Sequence, residues 1–151
     1  MTHRALAEQN FENGYNCAQA VLLAFSDLTG LEEKTALSLA SSFGGGMGRL
    51  REVCGAVSGM FMVAGLLYGS NTTISQQEKT AHYARIQALA AQFREKNGSY
   101  LCRELLAGVQ TTAGTAPEAR TAEYYKKRPC KLLCGDAAEI LDRYINENPI
   151  Q

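Results

Sequence analysis

The sequence has no tryptophan, only three prolines and no excess charge of either sign, since 15 lysines and arginines balance 15 aspartates and glutamates. Proteins that bind nucleic acids or anionic membrane surfaces usually carry a basic excess, because they attract phosphate groups electrostatically. We therefore expect neither partner. Hydrophobic residues make up 46% of the chain and charged residues 20%, which is typical of a globular domain and not of a disordered chain.

A long hydrophobic run is also missing. No charged residue lies between Glu52 and Glu78, but the strongly apolar part covers only about residues 53–68 and includes three glycines. A membrane-spanning helix needs ~20 apolar residues. We therefore expect a buried helix at the centre of a helical domain, and no membrane contact.

Residues 1–10 have no apolar run behind a basic start, so we expect no secretory signal and a cytoplasmic location. That compartment is reducing, and disulfides that only stabilise a fold are rare there. Cysteines in such a chain more often bind a metal, take part in catalysis or sense redox state, although some are simply small buried hydrophobic residues.

The pattern of apolar residues favours helices throughout. No segment alternates between apolar and polar residues over several positions, as a half-buried strand would. Helical spacing predicts helices at about residues 4–13, 17–28, 32–43, 53–67, 75–96, 100–106 and 129–146. We predict a single all-α domain over residues 1–151, a compact bundle-like arrangement of five to seven helices around the central glycine-containing helix. Its Gly55 and Gly59 stand four residues apart, which lets a second backbone approach closely.

A glycine-rich segment, residues 44–48, must break the third helix, because glycine loses much backbone entropy when it is ordered as helix. No Gly-Lys-Ser or Gly-Lys-Thr follows it, so it is not a nucleotide-binding P-loop. Arg49 and Arg51 beside it could help to bind an anion, remain solvated, or pair with Glu52.

Two further segments and two histidines complete the local expectations. Residues 115–118 are expected to open a short helix, and residues 123–128 to form a solvated face before the last helix. His3 and His82 are isolated, and we expect His82 to be a surface or packing residue and not a metal ligand.

The five cysteines lie at positions 17, 54, 102, 130 and 134, and no two of them form a CxxC pair. This argues against a locally built zinc knuckle or a thioredoxin motif, but not against a site gathered from several helices. Cys17, Cys54 and Cys130 lie near predicted helix N-termini, and Cys102 lies in a short helix beside an arginine. Free backbone N–H groups and nearby guanidinium groups favour the thiolate, which attacks disulfides and binds metals.

Cys134 differs from the other four. It lies four residues after Cys130, on the same face of a helix and beside two leucines. We expect it to be a buried bystander. The alternative is that Cys130 and Cys134 form a pair of metal ligands one helical turn apart.

Several segments together carry a family resemblance: GYNCAQA at 14–20, FGGGMG at 43–48, VCGAVSG at 53–59, GSYLCREL at 98–105, and Cys130 with the helix at 136–141. They resemble the C_GCAxxG_C_C family of small proteins, whose label writes GCAxxG where this chain reads CGAxxG. The resemblance implies that Cys17, Cys54, Cys102 and Cys130 are the four family cysteines and that Cys134 lies outside the pattern. It also implies redox activity based on these cysteines, and the family is typical of anaerobic prokaryotes, but no substrate or reaction comes with it.

Three functions remain open. The first is a thiol-based redox protein or oxidoreductase, with Cys17 paired to Cys54 and Cys102 paired to Cys130, that exchanges electrons with a redox partner or small molecule. The second is a metal or iron–sulfur protein that uses the same four cysteines as ligands. The third is a non-enzymatic helical module that merely contains cysteines. In each case the glycine-containing helix could pack inside one chain or across a homodimer.

Overall fold

The computed structural model describes residues 1–151 and consists of helices without a strand, which confirms the all-α class. The helical segments are α1 (His3–Glu12), α2 (Cys17–Ala24), α3 (Ser26–Thr29), α4 (Glu33–Ala40), α5 (Gly44–Met47), α6 (Gly55–Tyr68), α7 (Gln76–Asn97), α8 (Cys102–Leu105), α9 (Ala122–Lys127) and α10 (Cys130–Glu147). A single 3-10 turn, Ser41–Phe43, follows α4. The helices of eight or more residues are α1, α2, α4, α6, α7 and α10, and the other segments are short connecting turns.

One cluster of 27 buried hydrophobic residues forms the core, and α6 runs through it. Eight of the 14 residues of α6 are buried, so this helix has apolar residues on most of its circumference, as predicted for the central helix. Helices α2, α7 and α10 pack around it, and α1 packs against α2 and α10. A single core cluster is what one domain over residues 1–151 requires.

Two glycines in α6 allow α2 to pack closely against it. A Cβ at Gly59 would lie 2.8 Å from the carbonyl oxygen of Ala18 and 2.9 Å from the Cβ of Val21. A Cβ at Gly55 would lie 2.9 Å from the Cβ of Cys17. Both distances are well below the ~3.5–4.0 Å of a favourable carbon contact. The close approach predicted for this segment therefore occurs within one chain, and it places the start of α2 against the start of α6.

The length of α6 also bears on the membrane question. Fourteen residues of helix span about 21 Å, whereas the hydrocarbon core of a bilayer is ~30 Å thick. None of the helices combines the length and the apolar character that crossing a membrane requires.

The glycine-rich segment breaks the chain direction after α4, as predicted. Within α5, Gly45 and Gly46 have φ values of 65° and 73°, in the left-handed region. The same conformation recurs at three residues that are not glycine, Met47, Arg49 and Arg51. Side chains disfavour this region, so the surrounding contacts must hold the segment in place.

Two expectations for the segment before α10 were wrong. The short helix begins at Ala122, not at 115–118, and Thr121 caps it by accepting a hydrogen bond from the Tyr124 N–H at 3.2 Å. Residues 123–128 are not a purely solvated face, because Tyr124 packs against the core and Arg128 is only 9% exposed. A run of charged residues does not reveal that one of its members turns inward to a cavity.

The isolated histidines both have structural contacts. His3 stacks on Phe25 with ring centroids 4.1 Å apart, and its nitrogens bond to Asp27 at 2.9 Å and to Asp142 at 2.7 Å. Burial lowers the pKa of His3, but the hydrogen bonds to the two carboxylates raise it further, so that the net shift is upward. His82 bonds to an arginine of its own helix at 2.8 Å, in keeping with a surface or packing role.

Candidate functional site

A cavity of about 310 Å³ lies where the starts of α2, α6, α8 and α10 meet. Cys17, Cys54, Cys102 and Cys130 all line it, and Cys134 does not. The volume is at the lower end of the ~300–1,000 Å³ common for small-molecule sites. The fold thus collects four cysteines from distant parts of the chain around one small space.

Each of these four cysteines lies at the start of a helix. Cys17, Cys102 and Cys130 are the first residues of α2, α8 and α10, and Cys54 is the residue just before α6. The expectation of helix N-termini is therefore confirmed. At α2 the start is fixed by a capping box, in which Asn16 Oδ1 accepts from the Gln19 N–H at 2.9 Å and Gln19 Oε1 accepts from the Asn16 N–H at 3.0 Å.

Backbone hydrogen bonds bring Cys54 and Cys102 to the same cavity. An isolated antiparallel bridge joins Val53 to Leu101. Next to it, the Cys54 N–H donates to the carbonyl of Tyr100 at 2.9 Å, and the Cys102 N–H donates to the carbonyl of Glu52 at 2.6 Å. The starts of α6 and α8 are therefore tied together by main-chain contacts.

The glycine turn closes the cavity from the side of α8. A Cβ at Gly46 would lie 2.6 Å from the Cβ of Cys102 and 2.8 Å from the Cα of Arg51. Only glycine, which also accepts the positive φ found here, fits this place. The turn then leads directly into the strained Arg49 and Arg51, whose side chains line the cavity.

The Cys17 thiol lies among three other thiols. Cys130, Cys134 and Cys54 each shift its pKa. The Cys134 thiol also donates to the carbonyl of Cys17 at 3.8 Å. All five cysteines are free thiols; Cys17 is half-buried and the other four are buried. Both Cys54 and Cys130 act on Cys17, so its pairing stays a prediction.

Burial changes the acid–base behaviour expected at the helix starts. Burial raises the pKa of Cys54 to about 12, even though the N–H groups of Ala56 and Val57 lower it. Burial likewise raises the pKa of Cys102 against the opposing effect of Arg51. The predicted preference for thiolate is wrong for the reduced protein, because loss of hydration outweighs the favourable backbone N–H groups.

The pKa values of the remaining thiols are raised as well. A hydrogen bond from Cys130 lowers the pKa of Cys17, but its contact with Cys134 and burial raise it well above the ordinary range. The hydrogen bond to Cys17, together with burial, raises the pKa of Cys130, and the Arg128 guanidinium lowers it in part. The bond to Cys17 lowers the pKa of Cys134, but burial together with the neighbouring Cys54 and Cys130 raises it further. The reduced cavity thus holds protonated thiols.

Three arginines and one carboxylate form the opposite wall of the cavity. Glu118 pairs with Arg49 at 3.1 Å, with Arg51 at 3.5 Å and with Arg128 at 2.9 Å. Burial raises the pKa of Glu118, but the N–H of Thr112 and the charge of Arg128 lower it further, to about 2. Arg49 and Arg51 therefore do bind an anion, which is a carboxylate of the same chain; Glu52 pairs instead with Arg103 at 2.9 Å.

The arginines also touch the thiols. Arg51 Nη1 lies 3.7 Å from the sulfur of Cys102, and the Arg128 guanidinium, which lines the cavity beside Cys130, lowers the pKa of that thiol. Arg128 also stacks over Tyr124, 4.8 Å from the ring centroid. Positive charge is therefore available beside two of the four cavity cysteines.

The same thiols form the donor set that a zinc ion or an iron–sulfur cluster would use. However, no group of three or more histidine, cysteine, aspartate or glutamate side chains is arranged to hold a metal ion. A metal site with all four cysteines would need the helix starts to move, whereas a disulfide needs only two sulfurs to meet.

Sequence reasoning missed several residues that line this cavity. Glu118 lies in the stretch expected to open a short helix and Arg120 follows it, and no motif marks either residue as part of a site. Tyr124 and Arg128 carry a weak signal, because they precede Cys130 within a turn or two, but the surrounding charges suggested a solvated face. Only the folded backbone brings these side chains to the cysteines.

Comparison with known proteins identifies the group to which the chain is related. No curated protein and no solved structure matches it. A model of the family described as "Putative redox-active protein (C_GCAxxG_C_C)" matches residues 15–144. The match includes all four cavity cysteines, the glycine turn and most of the helical core. The chain therefore belongs to the C_GCAxxG_C_C family, whose description is that of a redox-active protein.

Proposed function

We propose that the protein is a thiol-based redox protein in which Cys17, Cys54, Cys102 and Cys130 form one redox centre. A single observation carries this proposal: the four cysteines line one small cavity, while the fifth does not. A core that only required small apolar side chains has no need to gather four sulfurs around one space. Their position beside positively charged arginines further suits reactions in which a thiolate forms briefly.

We assign the first disulfide to Cys17 and Cys130. Cys17 is half-buried whereas the other cysteines are buried, so it is the thiol that an incoming molecule reaches most readily. The hydrogen bond from Cys130 lowers the pKa of Cys17 against the larger combined effect of Cys134 and burial, and so stabilises negative charge on the attacking sulfur in part. Cys54 and Cys102, tied together by the backbone bonds beside the Val53–Leu101 bridge, form a second dithiol.

The reaction is thiol–disulfide exchange. Cys17 loses its proton and attacks one sulfur of a partner disulfide, and the first thiolate leaves and takes up a proton. Cys130 then attacks the mixed disulfide, releases the second thiol and forms the Cys17–Cys130 bond. Two protein thiols are oxidised and one disulfide is reduced to two thiols. A reducing, cytoplasmic location suits this chemistry, because all five cysteines are free.

The test is a redox titration without oxygen. The reduced protein is equilibrated with mixtures of oxidised and reduced dithiothreitol, trapped with an alkylating reagent, and examined by intact and peptide mass spectrometry. We expect a Cys17–Cys130 disulfide to form first, to be absent from Cys17→Ser and to form still in the control Cys134→Ala, which keeps both thiols. Absence of any disulfide across the titration, or its persistence in Cys17→Ser, would contradict the assignment.

Native mass spectrometry of protein purified without oxygen separates this function from its alternatives. Thiol exchange predicts the mass of the bare polypeptide. An additional mass that matches zinc, iron or an iron–sulfur cluster, lost in Cys54→Ser and kept in Cys134→Ala, would instead identify the cysteines as metal or cluster ligands. A bare polypeptide that forms no disulfide would leave a non-enzymatic helical module.

A further inference from the structure

The segment between α8 and α9 forms the outer wall of the cysteine cavity. Its residues Thr115, Pro117, Glu118 and Arg120 line the cavity, yet nearly all of residues 107–121 are exposed. Few apolar contacts hold it in place. Its attachment is mostly polar and involves Arg49, Glu118 and Arg120, whose guanidinium donates to the carbonyls of Phe11 and Tyr15 and stacks on the Phe11 ring.

Arg49 binds this segment from outside, and Glu118 binds it from within. Arg49 Nη1 donates to the carbonyl of Gly114 at 2.7 Å, and Nη2 donates to the carbonyl of Thr112 at 3.1 Å. The Thr112 N–H donates to Glu118 Oε1 at 2.9 Å. If the carboxylate of Glu118 leaves the arginines, this segment loses the contact that joins it to Arg51 and Arg128.

The charges at this wall are not balanced within the chain. One carboxylate faces three guanidinium groups, and the side chains of Arg49 and Arg128 are only 11% and 6% exposed. The neighbouring Glu52 pairs with Arg103 outside the cavity. Three poorly hydrated cations with one internal anion form a site for an anionic group, since guanidinium binds carboxylates with directed hydrogen bonds.

The anion site adjoins the thiols. Arg51 contacts both Glu118, at 3.5 Å, and the sulfur of Cys102, at 3.7 Å. Arg128 contacts Glu118 at 2.9 Å and lines the cavity together with Cys130, two residues further along the chain. A small molecule with its anionic end on the arginines would therefore have its other end among the cysteines.

We propose that Arg49, Arg51 and Arg128 bind the carboxylate of a small disulfide substrate, and that Glu118 occupies this site until the substrate displaces it. The inference rests on the proposed thiol function, for which it names the substrate class. Displacement of Glu118 removes the contacts that join residues 107–118 to Arg51 and Arg128, while Arg120 still holds the end of the segment at Phe11 and Tyr15, and it admits the disulfide to Cys17. The exchange then proceeds as described above: the substrate disulfide is reduced to two thiols and Cys17 and Cys130 are oxidised to a disulfide.

Binding is tested first, with a probe that cannot react. Suberate has the length of 3,3′-dithiodipropionate but contains two methylenes in place of the two sulfurs. By calorimetry on reduced protein, we expect suberate to bind to wild type. It should bind to Glu118→Gln roughly tenfold more tightly, because the Glu118 carboxylate no longer competes for the arginines, and to Arg49→Gln roughly tenfold more weakly. The control Arg103→Gln removes an exposed arginine outside the cavity and should bind as wild type does.

Reactivity is tested second, on wild-type protein, so that no variant needs to fold. We expect dithiodipropionate to oxidise the protein roughly tenfold faster than the neutral bis(2-hydroxyethyl) disulfide, and suberate to slow the first reaction only. Hydrogen exchange of residues 107–117 should increase when suberate is added.

The two proposals fail in different ways. Equal rates for the two disulfides, with no binding of suberate, would overturn the anion site and leave the thiol function intact. Binding of suberate without oxidation by either disulfide would support the anion site and overturn the thiol function. Binding of suberate that is unchanged in Arg49→Gln and Glu118→Gln would place the anion elsewhere and refute the site proposed here.

Discussion

Replacing Gly59 by alanine should destabilise the protein by forcing α2 away from α6. The new Cβ would lie 2.8 Å from a backbone oxygen and 2.9 Å from the Cβ of Val21, and neither atom can move aside without moving its helix. Overpacking typically costs ~1–3 kcal/mol, and this clash belongs at the upper end of that range. Alanine in a helix is favoured over glycine by ~1 kcal/mol. The net loss in the free energy of unfolding is then about 2 kcal/mol.

The same helix offers a matched control. A Cβ at Gly65 would meet no atom within 4 Å, so Gly65→Ala has only the helix-propensity gain of ~1 kcal/mol. Because that gain is common to both variants, their difference isolates the packing cost of about 3 kcal/mol. For a chain of this size we expect melting temperatures that differ by about 6–12 °C.

The assay is urea and thermal unfolding followed by far-ultraviolet circular dichroism in the presence of a reductant. If Gly59→Ala proves as stable as Gly65→Ala, the close contact between α2 and α6 does not exist as described. The position of Cys17 at the cavity would then be in doubt as well, since α2 carries it.

Three further predictions follow from the pKa shifts. Native protein at pH 8 should react with iodoacetamide more slowly than urea-unfolded protein, because raised pKa values keep its thiols protonated. Cys17 should react first, because it is the least buried of the five cysteines. Equal rates for native and unfolded protein in a mass-spectrometric time course would refute this. Glu118 has a pKa of about 2 in the folded state, below its ordinary 4.5, so its contribution to stability is present above pH 4.5 and is lost as the pH falls toward 2. The free energy of unfolding in urea should therefore fall more steeply between pH 6 and pH 3 for wild type than for Glu118→Gln. Parallel pH profiles for the two proteins would contradict this expectation. The pKa of His3 shifts in the opposite direction, because Asp27 and Asp142 raise it above 6.5 in the folded state. The contribution of His3 to stability is therefore complete below pH 6.5 and is lost as the pH rises through the higher folded-state pKa. Wild type should lose more stability than His3→Gln between pH 6 and pH 9, and a constant difference between them would refute the assignment.

Much of the helical pattern follows from short-range interactions. Asn16 and Ser75 cap α2 and α7, and Gly30 and Gly98 end α3 and α7 with left-handed backbone. These effects involve residues within four positions of one another, so the sequence already contains them. For the same reason the cysteines could be assigned to helix starts before any tertiary contact was known.

The central position of α6 was also predictable, because its residues are apolar on nearly every side. The glycine break after α4 followed from the backbone entropy of glycine. The sequence did not indicate that the arginines after it, Arg49 and Arg51, adopt left-handed conformations and turn toward a cavity. That conformation is unfavourable locally, and contacts from distant residues maintain it.

The chain by itself thus determined the helices, the central helix and the four cysteines of the family pattern. Tertiary structure alone decided that the four cysteines line one cavity, that burial keeps the thiols protonated, and that Glu118 lies on three arginines. The physical reason is one of range. Capping and helical periodicity depend on neighbours along the chain, whereas desolvation and ion pairing sum over residues that only folding brings together.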